Sequence, residues 1–308
     1  MTLHRASGHW RRGLLLTLLA ALCWATLPIA MKIALVAVDP ITLTWVRFLG
    51  AAAFTVAWLG LRGGLGGRGK LTRKHWTMLL GAAVLLVGNY VFFLLGVQRT
   101  TPANAQLMIQ LAPLLMALGG IWVFGERFRW AQWAGLALLV TGMALFFADQ
   151  LGSVRAPGYV VGSLLVVVGA IAWAGYAMLQ KQLLLQLGSM QILLVIYVVA
   201  SALLLPFVRP LSLLELTGLQ AAMVGFCALN TIGAYGAFAE ALVHWEASRV
   251  SAILATTPLL CIGAVATVHA WWPQSLAAEA ITGLGWVGAI LVVTGSAAMS
   301  LLGRARHR

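Results

Sequence analysis

Residues 21–32 read ALCWATLPIAMK and residues 170–181 read AIAWAGYAMLQK. In each, one alanine stands three positions before a tryptophan, another follows it directly, and a lysine comes eight positions beyond the ring. Trp24 and Lys32 thereby correspond to Trp173 and Lys181. Further correspondences follow in order. GNYVFF at 88–93 matches GAYGAF at 233–238, and Pro113-Leu114-Leu115 matches Pro258-Leu259-Leu260 at the same offset of 145. Glu126, Trp133, Gly135, Thr141 and Gly142 match Glu279, Trp286, Gly288, Thr294 and Gly295 with identical spacing. A single match arises easily among apolar residues. Four in register across five apolar runs predict a duplicated chain, with halves at 1–152 and 153–308.

The composition says what is duplicated. Of 308 residues, 62% are hydrophobic and 9% charged, with a mean hydropathy of +0.96; a soluble domain carries about a quarter charged residues. Thirteen tryptophans and 33 glycines agree with a membrane chain, since spans tolerate glycine and place tryptophan at their borders. Runs long enough to cross about 30 Å of hydrocarbon fall near 13–37, 41–61, 76–97, 103–124, 130–148, 158–181, 190–208, 219–242, 249–271 and 281–302. The first run exceeds a signal-peptide core and lacks a clear small-residue cleavage site. The net charge of +13 sits in short loops and tails, so it marks membrane topology rather than nucleic-acid binding. Cys23, Cys227 and Cys261 all lie in apolar runs and read as packing residues.

Lysine and arginine set the orientation. The N-terminal tail, the 62–74 and 127–129 loops, Lys181, Arg249 and the C-terminal tail hold fifteen. The other side holds Arg99, Arg155 and Arg209, with Lys32 and Arg47 inside spans. That asymmetry predicts both termini in the cytoplasm. Five spans per copy is an odd number, so the second copy enters the membrane upside down. The expected fold is an all-α polytopic membrane protein, with ten transmembrane helices forming two inverted five-helix repeats around a central cavity. Such repeats build alternating-access transporters with a site near the midplane.

This pattern resembles the drug/metabolite transporter superfamily: a W-A pair opens each half, P-L-L sits in the fourth and ninth spans, and a glutamate precedes the glycine-spaced helix closing each half. The last feature is similar to the EamA branch. Trp173-Ala174-Gly175-Tyr176, with Lys181 five positions on, looks like the YddG-type aromatic amino-acid exporters. The resemblance implies a bacterial inner-membrane exporter of small amphipathic metabolites, aromatic and other neutral amino acids above all. An exporter of lipophilic or planar cations is the alternative.

Polar side chains inside spans are costly unless they face protein or water, so they mark candidate sites. Gln106, Gln110 and Pro113 share one helical face; the matching face of span nine carries Ser251, Ala255 and Pro258. Asn89, Tyr90 and Phe93 come from span three, and Asn230, Tyr235 and Phe238 from span eight. Trp24 and Met31 lie in span one, and Trp173 and Tyr176 in span six. Rings with a few amides suit a substrate with a flat apolar body and a polar end. Pro28, Pro113 and Pro258 each remove a backbone hydrogen bond well inside a span and are candidate hinges. Lys32 and Lys181 either snorkel or act on substrate charge and gating, Arg47 is a deeper candidate for charge and gating in the same outer half as Lys32, and Glu126 and Glu279 are expected to satisfy helix ends or loop arginines.

Catalysis is not expected. His244 and His269 fall at opposite membrane faces, and there is no H-E-x-x-H motif and no pair of membrane aspartates. A channel filter of ringed charges or glycine-rich carbonyls is not evident either. No cofactor is implied. The expected partners are the lipid bilayer and a small-molecule substrate, and a monomer suffices.

Overall fold

The structure is a computed structural model and describes residues 9–61, 71–112, 115, 118–119, 129–153, 158–244, 250, 253–274, 276 and 279–302. Pro113, Glu126 and Ser251 lie outside the described residues, as does the side chain of Lys181. Ten α-helices occur among the described residues: α1 (Trp10–Ala34), α2 (Pro40–Leu61), α3 (Arg73–Arg99), α4 (Pro102–Met108), α5 (Trp130–Ser153), α6 (Tyr159–Leu183), α7 (Ser189–Leu204), α8 (Gly218–His244), α9 (Thr257–Trp271) and α10 (Gly283–Leu302).

Helices start where the sequence supplies caps. The Asp39 carboxylate accepts the N–H groups of Ile41 and Thr42, both at 3.0 Å, with Pro40 opening α2. Before α8, the Gln220 side chain accepts the Thr217 N–H at 3.0 Å and the Thr217 hydroxyl accepts the Gln220 N–H at 3.3 Å, a capping box.

Seven of the helices are long and apolar enough to span a membrane, and Thr257–Trp271 and Gly283–Ala298 are shorter apolar helices. The chain is therefore a polytopic helical membrane protein. Its surface is inverted relative to a soluble protein. Leu15, Leu19 and Leu22 stand exposed along α1, whereas Thr44, Asn89, Asn104, Asn230 and Thr231 are buried. Hydrocarbon welcomes the leucines and leaves amides and hydroxyls to find partners inside. Trp10, Trp130, Trp271 and Trp272 are exposed at helix ends, where amphipathic rings suit the headgroup boundary.

The closest packing joins α5 to α10, α3 to α6 and α1 to α8, with α2 against α7 and α4 against α9. Exchanging every helix with the one five places away returns this same set of pairs. In the α5–α10 seam the backbones touch. A Cβ on Gly288 would stand 2.6 Å from the Phe146 nitrogen and 2.7 Å from the Gly142 oxygen, and one on Gly295 would stand 2.5 Å from the Leu139 nitrogen. The seven-residue spacing of these glycines thus serves helix contact.

Two spans differ from the sequence reading, which expects uninterrupted helices over 103–124 and 249–271. α4 stops at Met108, and residues 109–110 form a turn. There the N–H of Gln110 reaches the Leu107 oxygen at 3.1 Å and that of Ala112 reaches the Ile109 oxygen at 2.9 Å, one residue short of α-helical reach. Residues 253–254 are helical, 255–256 turn, and α9 starts afresh at Thr257. The cause is in the sequence. A proline at 113 or 258 has no N–H to offer a carbonyl four residues back, and Pro258 stands in the first turn of α9. The breaks fall at the repeat-matched positions 110 and 255.

Candidate functional site

Two seams between the halves carry most of the sequence-predicted residues. In the α1–α8 seam, Asn230 Nδ2 donates to the Cys23 carbonyl at 2.7 Å. The Trp24 ring meets Tyr235 edge-on and Phe238 at a tilt, each with centroids 5.6 Å apart. In the α3–α6 seam, Asn89 Nδ2 donates to the Gly169 carbonyl at 2.9 Å. Each seam thus uses an asparagine from the third helix of one half and a carbonyl from the first helix of the other. An amide away from water needs such a partner, and the bond fixes the helices' relative depth. Phe93 and Trp173 are partly buried against the apolar core, Tyr176 is buried in it, and Met31 is 1% exposed among Leu27, Ala34 and Leu43. Pro28 lies buried within α1, four residues before Lys32.

At the helix breaks, Gln110 Nε2 reaches the Ala255 carbonyl at 3.4 Å, while Gln106 is buried one turn earlier. Gln110 and Ala255 stand at the same offset of 145 as the two P-L-L motifs, and they meet where both helices are interrupted.

A third group centres on Arg47 in α2. Its Nε donates to the Thr231 hydroxyl at 3.0 Å, and its guanidinium carbon lies 4.4 Å from the centroid of the Tyr90 ring. Phe48 packs on Tyr90 and Tyr197 with centroids 4.6 and 5.8 Å apart. The sequence reading placed Arg47 and Tyr90 near a site but passed over Thr231 and Tyr197. A threonine next to Asn230 and a phenol in the apolar run of α7 were the available signals.

Lys32 does not project freely. Its ammonium donates to the carbonyls of Val97, Gln98 and Thr100 at 2.8, 2.9 and 2.5 Å, at the end of α3. Favourable charge at a helix C-terminus and three carbonyls left over where the helix ends explain the choice. Nearby, Glu279 Oε1 accepts the Ala103 N–H at 3.0 Å, and the Asp149 carboxylate accepts the N–H and hydroxyl of Thr282. Asn104 Nδ2 donates to the Ser163 hydroxyl at 2.9 Å. These bonds join α1 to the end of α3, α4 to α6, and α4 and α5 to the segment before α10. Glu240, one turn before the end of α8, is exposed and pairs with His244 at 3.5 Å.

Burial pushes the Glu279 carboxyl up to about 7, against the opposing pull of the Ala103 N–H, the Thr101 side chain and the Lys32 charge. A raised folded-state pKa means stability that is full below the ordinary value near 4.5 and is lost as pH rises through 7. The purified protein should therefore melt at a lower temperature at pH 8 than at pH 6, and Glu279→Gln should flatten that difference. An unchanged pH slope in the variant would remove Glu279 as its source.

The EamA-like transporter family model matches residues 11–148 and again 160–301. The uncharacterized inner membrane transporter YhbE of Escherichia coli strain K12 is 34% identical over 287 residues, covering 92% of this chain and 89% of its own. A probable amino-acid metabolite efflux pump of the same organism is 25% identical over 92% of this chain and 93% of its own. The aromatic amino acid exporter YddG of Ancylobacter novellus is 30% identical over 164 residues, which are 53% of this chain and 56% of its own. A solved crystal structure at 22% identity superposes with a TM-score of 0.64, covering 96% of this chain and 99% of its own, and shares the fold.

Proposed function

The chain belongs to the EamA-like transporter family, and from that premise we propose that it is a bacterial inner-membrane exporter of small amphipathic metabolites, chiefly aromatic and other neutral amino acids. It works by alternating access between two inverted five-helix repeats, 1–152 and 153–308, with both termini in the cytoplasm. The observation that carries this reading is the pair of matched helix breaks, where Gln110 reaches the Ala255 carbonyl and each of the two residues stands three positions before a proline in the sequence. Interrupted helices at a repeat interface free backbone groups for a substrate and let half-helices tilt around it. The family match to both halves and the exchange-invariant helix pairing support the duplication. The names of the efflux pump and of YddG support amino acids as cargo.

Substrate movement is facilitated rather than proton-driven. The reading is supported by the exposure of Glu240 and by the commitment of Glu279 and Asp149 to helix starts. Dissipation of a phenylalanine gradient by a protonophore, in vesicles holding the purified protein, would overturn that part.

The test is counterflow of labelled phenylalanine into liposomes containing the protein, competed by threonine, methionine and a planar dication. Accumulation blocked by the neutral amino acids is expected, and Trp173→Ala or Gln110→Ala should weaken it at near-normal expression. Accumulation blocked only by the dication would replace this reading with export of planar cations.

A further inference from the structure

Arg47 is 3% exposed, yet only its Nε has a hydrogen-bond partner among the described residues. That partner, the Thr231 hydroxyl, gives its own proton to the Cys227 carbonyl at 3.0 Å, so it is oriented to accept. The guanidinium lies over Tyr90, and the phenols of Tyr90, Tyr176, Tyr197 and Tyr235 gather in one electrostatic neighbourhood with it. These are four of the chain's five tyrosines, brought from α3, α6, α7 and α8 to a cation from α2. No carboxylate among the described residues pairs with Arg47. Asp39, the acid nearest in sequence, is committed to the cap of α2, about 12 Å of helix rise away.

A lysine in this place has the option of shedding its proton. Arginine does not. A permanent buried cation without a counter-ion is expensive inside a membrane, and the face of one tyrosine returns only part of that cost. The unused edge of the guanidinium fork matches the two oxygens of a carboxylate.

We propose that Arg47 is the anchor for the substrate's carboxylate, at the seam between α2 and α8, with tyrosine hydroxyls as further donors and the tyrosine rings against the substrate's side chain. The inference rests on the amino-acid reading above and sharpens it. The ligand class is a small zwitterion or monoanion bearing a carboxylate beside a flat apolar group, and compounds that are cations overall are rejected.

Three competitors separate the groups on phenylalanine: phenylalanine itself, phenylalaninamide, which lacks the carboxylate, and 3-phenylpropionate, which lacks the amine. In counterflow with the parent protein, 3-phenylpropionate should compete better than the amide by about tenfold to a hundredfold, the worth of charge-assisted hydrogen bonds. Arg47→Gln should lose affinity for phenylalanine by a similar factor and lose the discrimination with it, while Arg47→Lys keeps part of both. Thr231→Val, a milder change, should weaken phenylalanine severalfold and guards against a misfolded Arg47 variant. An amide that competes as well as the carboxylate, or discrimination kept in Arg47→Gln, overturns the proposal.

If the parent shows no amino-acid counterflow, the amino-acid reading falls and the anchor is read by thermal shift. Stabilisation by 3-phenylpropionate in the parent but not in Arg47→Gln sustains the anion site by itself. Stabilisation by tetraphenylphosphonium instead, or by neither compound, overturns it.

Discussion

Gly288→Ala is expected to cost about 3 kcal/mol or more, the upper range for a methyl forced into a filled contact. The reason lies in what the methyl would meet. At Gly288 the nearest atoms are the Phe146 nitrogen at 2.6 Å and the Gly142 oxygen at 2.7 Å, both backbone. A flexible side chain would swing aside, but backbone moves only by shifting a helix. α10 must therefore separate from α5, and the contacts at Gly142 and Gly295 loosen with it because they lie along the same seam. Gly225→Ala and Gly263→Ala are the internal controls, since a Cβ at either meets nothing within 4 Å. These should be neutral or slightly stabilising, as alanine loses less backbone entropy in a helix. Thermal melting in detergent, followed by the monodisperse fraction, reads all three. A Gly288→Ala protein that melts with the controls would mean that α5 and α10 do not pack backbone to backbone.

That seam shows how far the sequence reaches. Gly135, Gly142, Gly288 and Gly295 announce close helix contact at seven-residue spacing, but a row of small residues does not name its partner. The pairing of α5 with α10 depends on how ten helices share a bundle, and no local pattern encodes it. Seven of the spans were legible because hydrocarbon demands about twenty apolar residues per crossing. The breaks at 110 and 255 were half legible: the prolines were read as kinks in intact helices, whereas the chain leaves the helix at 109–110 and 255–256, two to four residues earlier. Site residues divide in the same way. Asn89 and Asn230 stood out as amides in oily runs, but their partners are the carbonyls of Gly169 and Cys23, and a carbonyl leaves no signature because every residue has one. Thr231 went unremarked because a threonine can satisfy itself on the preceding helical turn, as Thr231 also does.

Lys32 is the sharpest case, because its chemistry was visible and its role was not. Lys32→Met should destabilise the protein by about 1–3 kcal/mol, the cost of leaving acceptors at a partly buried helix end without a donor. The side-chain length is kept, but the carbonyls of Val97, Gln98 and Thr100 lose their shared donor where α3 ends inside the bundle. Glu279 loses the cation that offsets its burial as well. Lys32→Arg, with more donors and a bulkier head, should recover part of the loss. The electrostatic influence of Lys32 on Glu279 makes the effect non-additive: Lys32→Met combined with Glu279→Gln should cost less than the two single losses summed, because an acid without charge no longer needs the cation. Melting without substrate reads the whole cycle. A lysine that served substrate alone would leave Lys32→Met melting with the parent and the double variant melting with Glu279→Gln, and would lower only transport. A lysine that closes the end of α3 lowers the melting temperature first, and transport per folded molecule then falls by the same factor for anionic and neutral substrates.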